Sequence, residues 1–592
     1  MKPSRLRNNK LFFILCLTEC VLLSGCRKNP QGSGLPEGGP DSVTTVVLSC
    51  DKARYDPGST AHFQCDPAMD ASIEYRVRYR HLDSIVHEES VTGNTWSWTV
   101  PGEDFRGYLV ELYAVQGTDL ILAGSTGLDV SSRWTRFPRY GFLSSFGALK
   151  QEKMAGVIDN LCRFHINGIQ YYDWHCDHNR PLAGTVEQPA GSWPDIGGRT
   201  QYKATVEEYI SLAREKNMAS MFYDLCYGVL TNGAADGVKE EWYIFTDRNH
   251  LHKDVLELSP PFRSPIYLTD PSNPFWLDYF SARVADVYCV YDFDGFHIDQ
   301  LGERGARYDY NGGTVDMARG YGKFLNRMNS DYPQKTHVFN AVAGYGQQSI
   351  AWSGADFLYN EVWSNQSSYA DLKNIIDLNA YYSGGKLNTV LAAYMNYDKA
   401  NTAGTFNTPG VLMTEAVIFA SGGSHLELGE HMLCKEYFPN NNLSMDKQLS
   451  IGLVSYYDFL VAYENLLRDG GSFNEVSLNA VSSSFSVDSW PPRTGKVIYL
   501  AKQVGNRQVI HLLNYSNAIS LSWRDLNGEQ PEQRLIRDAV FRLITTKNIN
   551  KIWAATPDPE GAKYRELEYT QGSGYVTFTV PVLNYWTMVV IQ

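Results

Sequence analysis

Past position 23 the chain has no apolar run long enough to cross a bilayer as a helix, so helical membrane spans are excluded there. Dense basic stretches are missing too. The formal net charge is −13 over 592 residues, and nothing in the sequence clusters enough lysine and arginine to neutralise a phosphate backbone, which excludes nucleic acid as a partner. The ten cysteines show no metal-ligand or redox spacing. There is no dinucleotide fingerprint and no glycine-rich phosphate loop ahead of a helix, so no cofactor is expected. A structural calcium would leave no such trace, because carbonyl and carboxylate ligands need no fixed spacing.

Aromatic side chains, by contrast, are abundant. The 13 Trp, 38 Tyr and 26 Phe fill cores first, and also offer the flat faces and phenolic hydroxyls that sugar-binding clefts use. The N-terminus reads as an export signal. Lys2, Arg5, Arg7 and Lys10 precede the apolar run from Leu11 to Leu23, followed by Leu23-Ser24-Gly25-Cys26. That tetrapeptide resembles a bacterial lipobox, with Cys26 as the lipidated first residue of an exported envelope lipoprotein at the outer membrane or cell surface. Residues 26–42, rich in Gly, Pro, Ser and Asn, read as a flexible tether after a leader of residues 1–25.

Three folded regions are expected beyond the tether. Residues 43–132 carry short alternating runs (VVLSC, AHFQC, SIEYRVRYR, TWSWTV, GYLVELYAV) between turn signals, the pattern of an immunoglobulin-like β-sandwich. Cys50 and Cys65 end two of these runs and either pair or stay buried thiols. In residues 133–469 eight strand-like runs alternate with amphipathic segments such as KATVEEYISLAREKNM and GYGKFLNRMNSDYP, the arithmetic of a (β/α)8 barrel. Residues 470–592 return to strand patterns, as in GKVIYLAKQV and GYVTFTVPVLNYWTMVVIQ, and suggest a C-terminal β-sandwich. The fold class is therefore multidomain: a TIM barrel flanked by two β-sandwiches.

Two carboxylates carry the chemistry in this reading. Asp299 ends the run FDGFHIDQLG and Glu361 lies near the end of FLYNEVW, so both sit at the C-terminal rim of barrel strands, where such barrels keep their active sites. A pair of carboxylates on separate strand ends is the equipment for hydrolysing a glycosidic bond.

The runs VSSRWTRFPRYGFLSSF, HINGIQYYDWH, DGFHIDQLG, YNEVW and ASGGSHLELGE, followed by KEYFPNNNLSM, resemble in order the motifs of glycoside hydrolase family 66, the endo-dextranases and cycloisomaltooligosaccharide glucanotransferases. The match extends from DKARY at Asp51 to the Trp523-Arg-Asp region. The resemblance implies a retaining mechanism with Asp299 as nucleophile and Glu361 as acid/base, acting on dextran and isomaltooligosaccharides. Asp173 is implied as a sugar-hydroxyl contact or, alternatively, an internal ion pair. Trp174 would stack on a sugar or wall the pocket, and Trp363 with Tyr359 would give Glu361 an apolar setting. His425 and Glu427 suggest a polar clamp on glucose or a structural role, with Asp224, His297 and Asp270 behind them. Where the family has a basic residue before its histidine, this chain reads His175-Cys176-Asp177-His178, which leaves contacts on that loop open. The transglycosylating members carry an inserted module of roughly a hundred residues that finds no room between these eight strands, so hydrolysis is expected over cyclisation. A surface lipoprotein that captures glucan without cutting it, and a retaining hydrolase of another α-glucan or α-galactoside, are the other readings.

Overall fold

The computed structural model describes residues 45–592, which form one compact unit; the leader, the tether and Cys26 lie outside the described residues. Two antiparallel sheets come first. One holds Val47–Cys50, Thr60–Asp66 and Thr95–Thr99; the other holds Tyr75–His81, Ser84–Val91, Arg106–Gln116 and Asp119–Val130. Residues 60–66 alternate exposed and buried, as a strand with one face on a core must. Their inner face meets the second sheet through aromatic rings: Phe63 lies 6.0 Å from Tyr79, which stacks on Trp98 at 4.1 Å.

Cys50 and Cys65 are both free thiols. Cys50 lies opposite Phe63 and Cys65 opposite Leu48, so the two are diagonal neighbours. Diagonal positions sit at about 7–8 Å, beyond the Cα separation a disulfide spans.

Eight parallel strands follow: Tyr140–Leu143, Gly168–Tyr171, Ala219–Leu225, Gly295–Asp299, Thr336–Val342, Leu358–Val362, Thr389–Ala393 and Gly423–His425. They pair in chain order into one sheet, and a parallel bridge between Phe142 and Gly429 joins its two ends. These are the eight runs expected from the sequence, numbered one to eight below. A helix follows each, shortened to Gln347–Ala351 after the fifth. The helix starts are written in the sequence: Asn273 ahead of Pro274, Asp316, Ser368 with Asp371, and Asp446 all accept backbone N–H bonds at their helix N-termini. The amphipathic segments are found as Lys203–Glu215 and Met317–Asp331. The long run after the eighth strand divides at Tyr463 into Lys447–Ala462 and Glu464–Leu467.

Tyr140, Phe142, Met221, Val338, Phe357, Tyr359 and Leu426 pack into the barrel interior. Trp134 comes so close to the second strand that a Cβ on Gly168 would stand 2.3 Å from its ring, so only glycine fits there. The C-terminal region builds a seven-stranded and a four-stranded sheet around a shared core that includes Leu512, Phe541, Phe578 and Val589. Among the described residues no helix is long and apolar enough to cross a membrane.

Candidate active site

Five consecutive barrel strands each place one polar side chain at the C-terminal rim. Asp299 ends the fourth strand and Glu361 sits one residue from the end of the sixth. Asn340, on the fifth strand between them, donates through Nδ2 to Asp299 Oδ1 at 2.7 Å and to Glu361 Oε2 at 3.2 Å. Because one amide nitrogen reaches both, these two oxygens stand no more than about 6 Å apart, the two bonds laid end to end. Tyr223, from the third strand, donates its hydroxyl to Asp299 Oδ2 at 2.7 Å. Tyr394, just past the seventh, donates to Glu361 Oε1 at 2.7 Å. Each carboxylate therefore has one phenol of its own and a share of the same amide.

The electrostatics separate the two acids. Burial, with the charge of Asp299 second, pushes the Glu361 carboxyl up to about 7 despite the donors Tyr394 and Asn340. Burial also raises Asp299, opposed by the hydrogen bonds from Tyr223, Asn340 and the backbone N–H of Gln300. Such an environment keeps Glu361 protonated near neutrality beside an Asp299 whose rise is opposed by three hydrogen-bond donors, the asymmetry that acid and nucleophile require.

Both acids line a cavity of about 540 Å³, the size of a small-ligand site. Asp173 is on its wall. The Asp173 backbone is left-handed at φ 50°, and burial lifts its carboxyl to about 7. Among the described residues that carboxyl has no ion pair or hydrogen-bond partner, so the internal ion pair considered for it is not formed. Trp363 also lines the cavity, its ring edge-on to Tyr394 at 5.9 Å and its indole N–H unpartnered. His297 lies on the floor against Tyr359, with burial lowering its imidazole to about 3, so the ring is neutral.

Five residues considered for sugar contact are not in this cavity. Trp174 is fully buried behind the strands, donating to the Tyr223 carbonyl at 3.2 Å and packed edge-on against Tyr291 and Phe293. Asp224 follows the inward-facing Tyr223 and so points to the other side of its strand, where it accepts from His178 Nδ1 at 2.7 Å. His425 and Glu427 face the outer helices. His425 Nδ1 lies 2.5 Å from Glu415 Oε1, and Glu427 accepts from the Tyr457 hydroxyl at 3.2 Å. Asp270 accepts from the Ser272 N–H and hydroxyl just ahead of the Pro274–Val290 helix.

The buried groups His175/His178/Asp224 and Glu415/His425/Glu427 each bring three ligand-type atoms close enough to hold a metal ion. As they stand, contacts within each group engage these atoms: His175 Nε2 lies 3.0 Å from His178 Nδ1, and His425 Nδ1 bonds Glu415.

Sequence reading missed Asn340, Tyr223 and Tyr394, and also the segment 436–438, which reaches the site after the eighth strand. There Glu436 lines the cavity and accepts from Tyr397 at 2.8 Å, while Phe438 stacks on Tyr172 at 4.3 Å. Tyr223 and Asn340 were findable by one rule: each lies on a strand-like run two residues or so from its C-terminal end, the position that aims at the rim.

Comparison with known proteins gives the same family. The family model for glycosyl hydrolase family 66 matches residues 50–590. A cycloisomaltooligosaccharide glucanotransferase of Niallia circulans is 27% identical, the match covering 99% of this chain and 75% of the relative. A dextranase of Streptococcus salivarius is 23% identical, covering 82% of this chain and 67% of the relative. The crystal structure of a Paenibacillus sp. cycloisomaltooligosaccharide glucanotransferase complexed with cycloisomaltoheptaose superposes with a TM-score of 0.85 at 25% identity, over 92% of this chain and 100% of that one. The chain belongs to glycosyl hydrolase family 66 and is a glycoside hydrolase enzyme.

Proposed function

We propose that this enzyme is an endo-acting, retaining glycosidase that cleaves α-1,6-glucosidic bonds of dextran to linear isomaltooligosaccharides. The observation that carries this reading is the single Asn340 amide shared by Asp299 and Glu361. Retaining glycosidases hold their two carboxyls about 5–5.5 Å apart and inverting ones about 6.5–9.5 Å, and a ceiling near 6 Å favours the former. Asp299 attacks C1 and forms the glycosyl ester as the C1–oxygen bond breaks. Glu361, protonated, gives its proton to the departing oxygen. Ester formation removes the negative charge beside Glu361, which is now ionised and takes a proton from water as that water attacks C1; the sugar leaves and Asp299 is restored. Asp173, with a free carboxyl in the same cavity, accepts from a sugar hydroxyl.

The substrate class rests on the two relatives' names, a dextranase and a glucanotransferase. Transfer to a sugar hydroxyl, giving cyclic products, is the second reading, favoured by the structural similarity to the glucanotransferase. Linear products are preferred because no link between consecutive barrel strands admits an added module: the longest, from Leu225 to Gly295, is taken up by short strands and one helix. We further propose that the leader exports the protein and that Cys26 carries its lipid.

The test is purified protein with α-1,6-glucan, products resolved by chromatography, and Asp299→Asn and Glu361→Gln alongside. Linear isomaltooligosaccharides from the wild type, lost in both variants, are expected. Cyclic products would select the transferase, and no product from the wild type would sink the substrate.

A further inference from the structure

The catalytic cavity does not end at Glu361. Leu301, Val342 and Trp363 line it and also line a second, open groove of about 480 Å³. Gly344 is shared in turn with a third groove of about 580 Å³, bordered by Arg319, Gln348, Trp352 and Tyr382. The three adjoin through these shared residues as a track leading from the two carboxylates past the fifth strand and down the flank along the short helix that follows it, to Tyr382 at the C-terminal end of the Tyr369–Ser383 helix.

Trp352, at the far end, is 69% exposed, and among the described residues it is the only tryptophan so exposed. Leaving so large an apolar face in water is costly, and a side chain free to move would fold back onto the protein. This one is held out: its indole N–H donates to the Tyr382 carbonyl at 3.1 Å, fixing the ring at the groove edge. The track's other end has the complementary feature, the buried and unpartnered indole N–H of Trp363. Between and around them Asn365, Gln348 and Arg319 have side chains with no hydrogen-bond or ion-pair partner among the described residues. A fixed aromatic face with uncommitted donors and acceptors along an open groove matches a neutral, hydroxyl-rich chain, polar at its edges and apolar on its ring faces. The charged side chains along the two outer grooves, Glu303, Asp316 and Arg319, are few and of mixed sign, so a ligand of one charge finds no matching cluster.

We propose that this track is a rail for a polymeric glucan, with Trp352 as a stacking platform that holds the chain outside the catalytic cavity. The inference rests on the glucan-cleaving function proposed above. It predicts that the enzyme favours long chains over short ones by contacts that touch no reacting atom.

The experiment compares Trp352→Ala with wild type on high-mass dextran and on a short chromogenic isomaltoside that fills only the cavity. Trp352→Ala should lower kcat/KM on dextran about three- to tenfold while leaving the short substrate within about twofold, and Trp352→Phe should restore most of the loss. Equal loss on both substrates, or no loss on dextran, would overturn the rail. To separate this from the function itself, retention of Asp299→Asn protein on dextran-containing native gels is measured with and without Trp352→Ala. Weaker retention in the double variant supports the rail even if the wild type cleaves no α-1,6 bond; unchanged retention overturns it even if cleavage is robust.

Discussion

Tyr394 sits in hydrogen-bond contact with Glu361 and sets how easily that acid gives up its proton. The phenol donates to Oε1 and so favours the ionised carboxylate, against burial and the charge of Asp299, which favour the neutral acid. As proton donor Glu361 works only when protonated, so kcat/KM should fall as pH rises through about 7. Tyr394→Phe removes a donor to the charged form, which raises the carboxyl further. The basic limb of the pH profile should move to higher pH by about one unit, and a limb that stays or moves down would refute this assignment. None of this was legible in the sequence. Asp299 and Glu361 stand at recognisable strand ends, but the phenol that tunes Glu361 lies 33 residues away and meets it only because the sixth and seventh strands are neighbours.

At the scale of elements, the eighth strand and the two helices beside it share a buried charge cluster. Burial works against a charged His425, but Glu415 and Glu427 outweigh it and hold the imidazolium up to about 9. Burial, with Glu415 second, lifts Glu427 to about 8. A histidine raised above its ordinary 6.5 contributes stability that is complete below 6.5 and lost as pH rises through 9; a carboxyl raised above 4.5 likewise costs more to keep folded as pH climbs to 8. Both signs agree, so the thermal midpoint should drop as pH rises from about 4.5 to 9, most steeply between about 6.5 and 8, where both groups contribute. Glu427→Gln removes one of the two titrations, and the slope should become shallower; a variant as steep as wild type would exclude the cluster as its source. Sequence reading left His425 and Glu427 between a clamp on the sugar and a structural role because strand-end residues face either the rim or the helices, and a three-residue strand carries too little alternation to tell which; the structure gives them the structural one.

Across the whole molecule the barrel is tied to both flanking regions by buried polar contacts. Arg139, ahead of the first barrel strand, is fully buried and pairs with Asp129 at 2.7 Å in the N-terminal sheets and with Glu464 at 3.4 Å after the last long helix. Asn396, after the seventh strand, accepts from Asn407 N–H and donates to the Asp525 carbonyl in the C-terminal region. The described residues thus present the active site as part of one body, and the proposed lipid anchor would hold that body at the envelope through residues 26–42. In cells fed radiolabelled palmitate the protein should be labelled and sediment with membranes, and Cys26→Ser should abolish both. A wild-type protein that takes no label would refute the anchor.

By itself the sequence determined the eight-strand repeat, the amphipathic helices between the strands and the two carboxylates at strand ends, because period and turn signals are local and act within a few residues of chain. It also carried the family, whose motifs survive in order from one end to the other. Only the tertiary structure decided which polar residues face the cleft. The Asn340 amide between two acids, the exile of Trp174, Asp224, His425 and Glu427 to the outer layer, and the track from Trp363 to Trp352 all depend on how neighbouring strands align and which way each side chain turns. Those are properties of closure and packing, and a single strand read alone does not contain them.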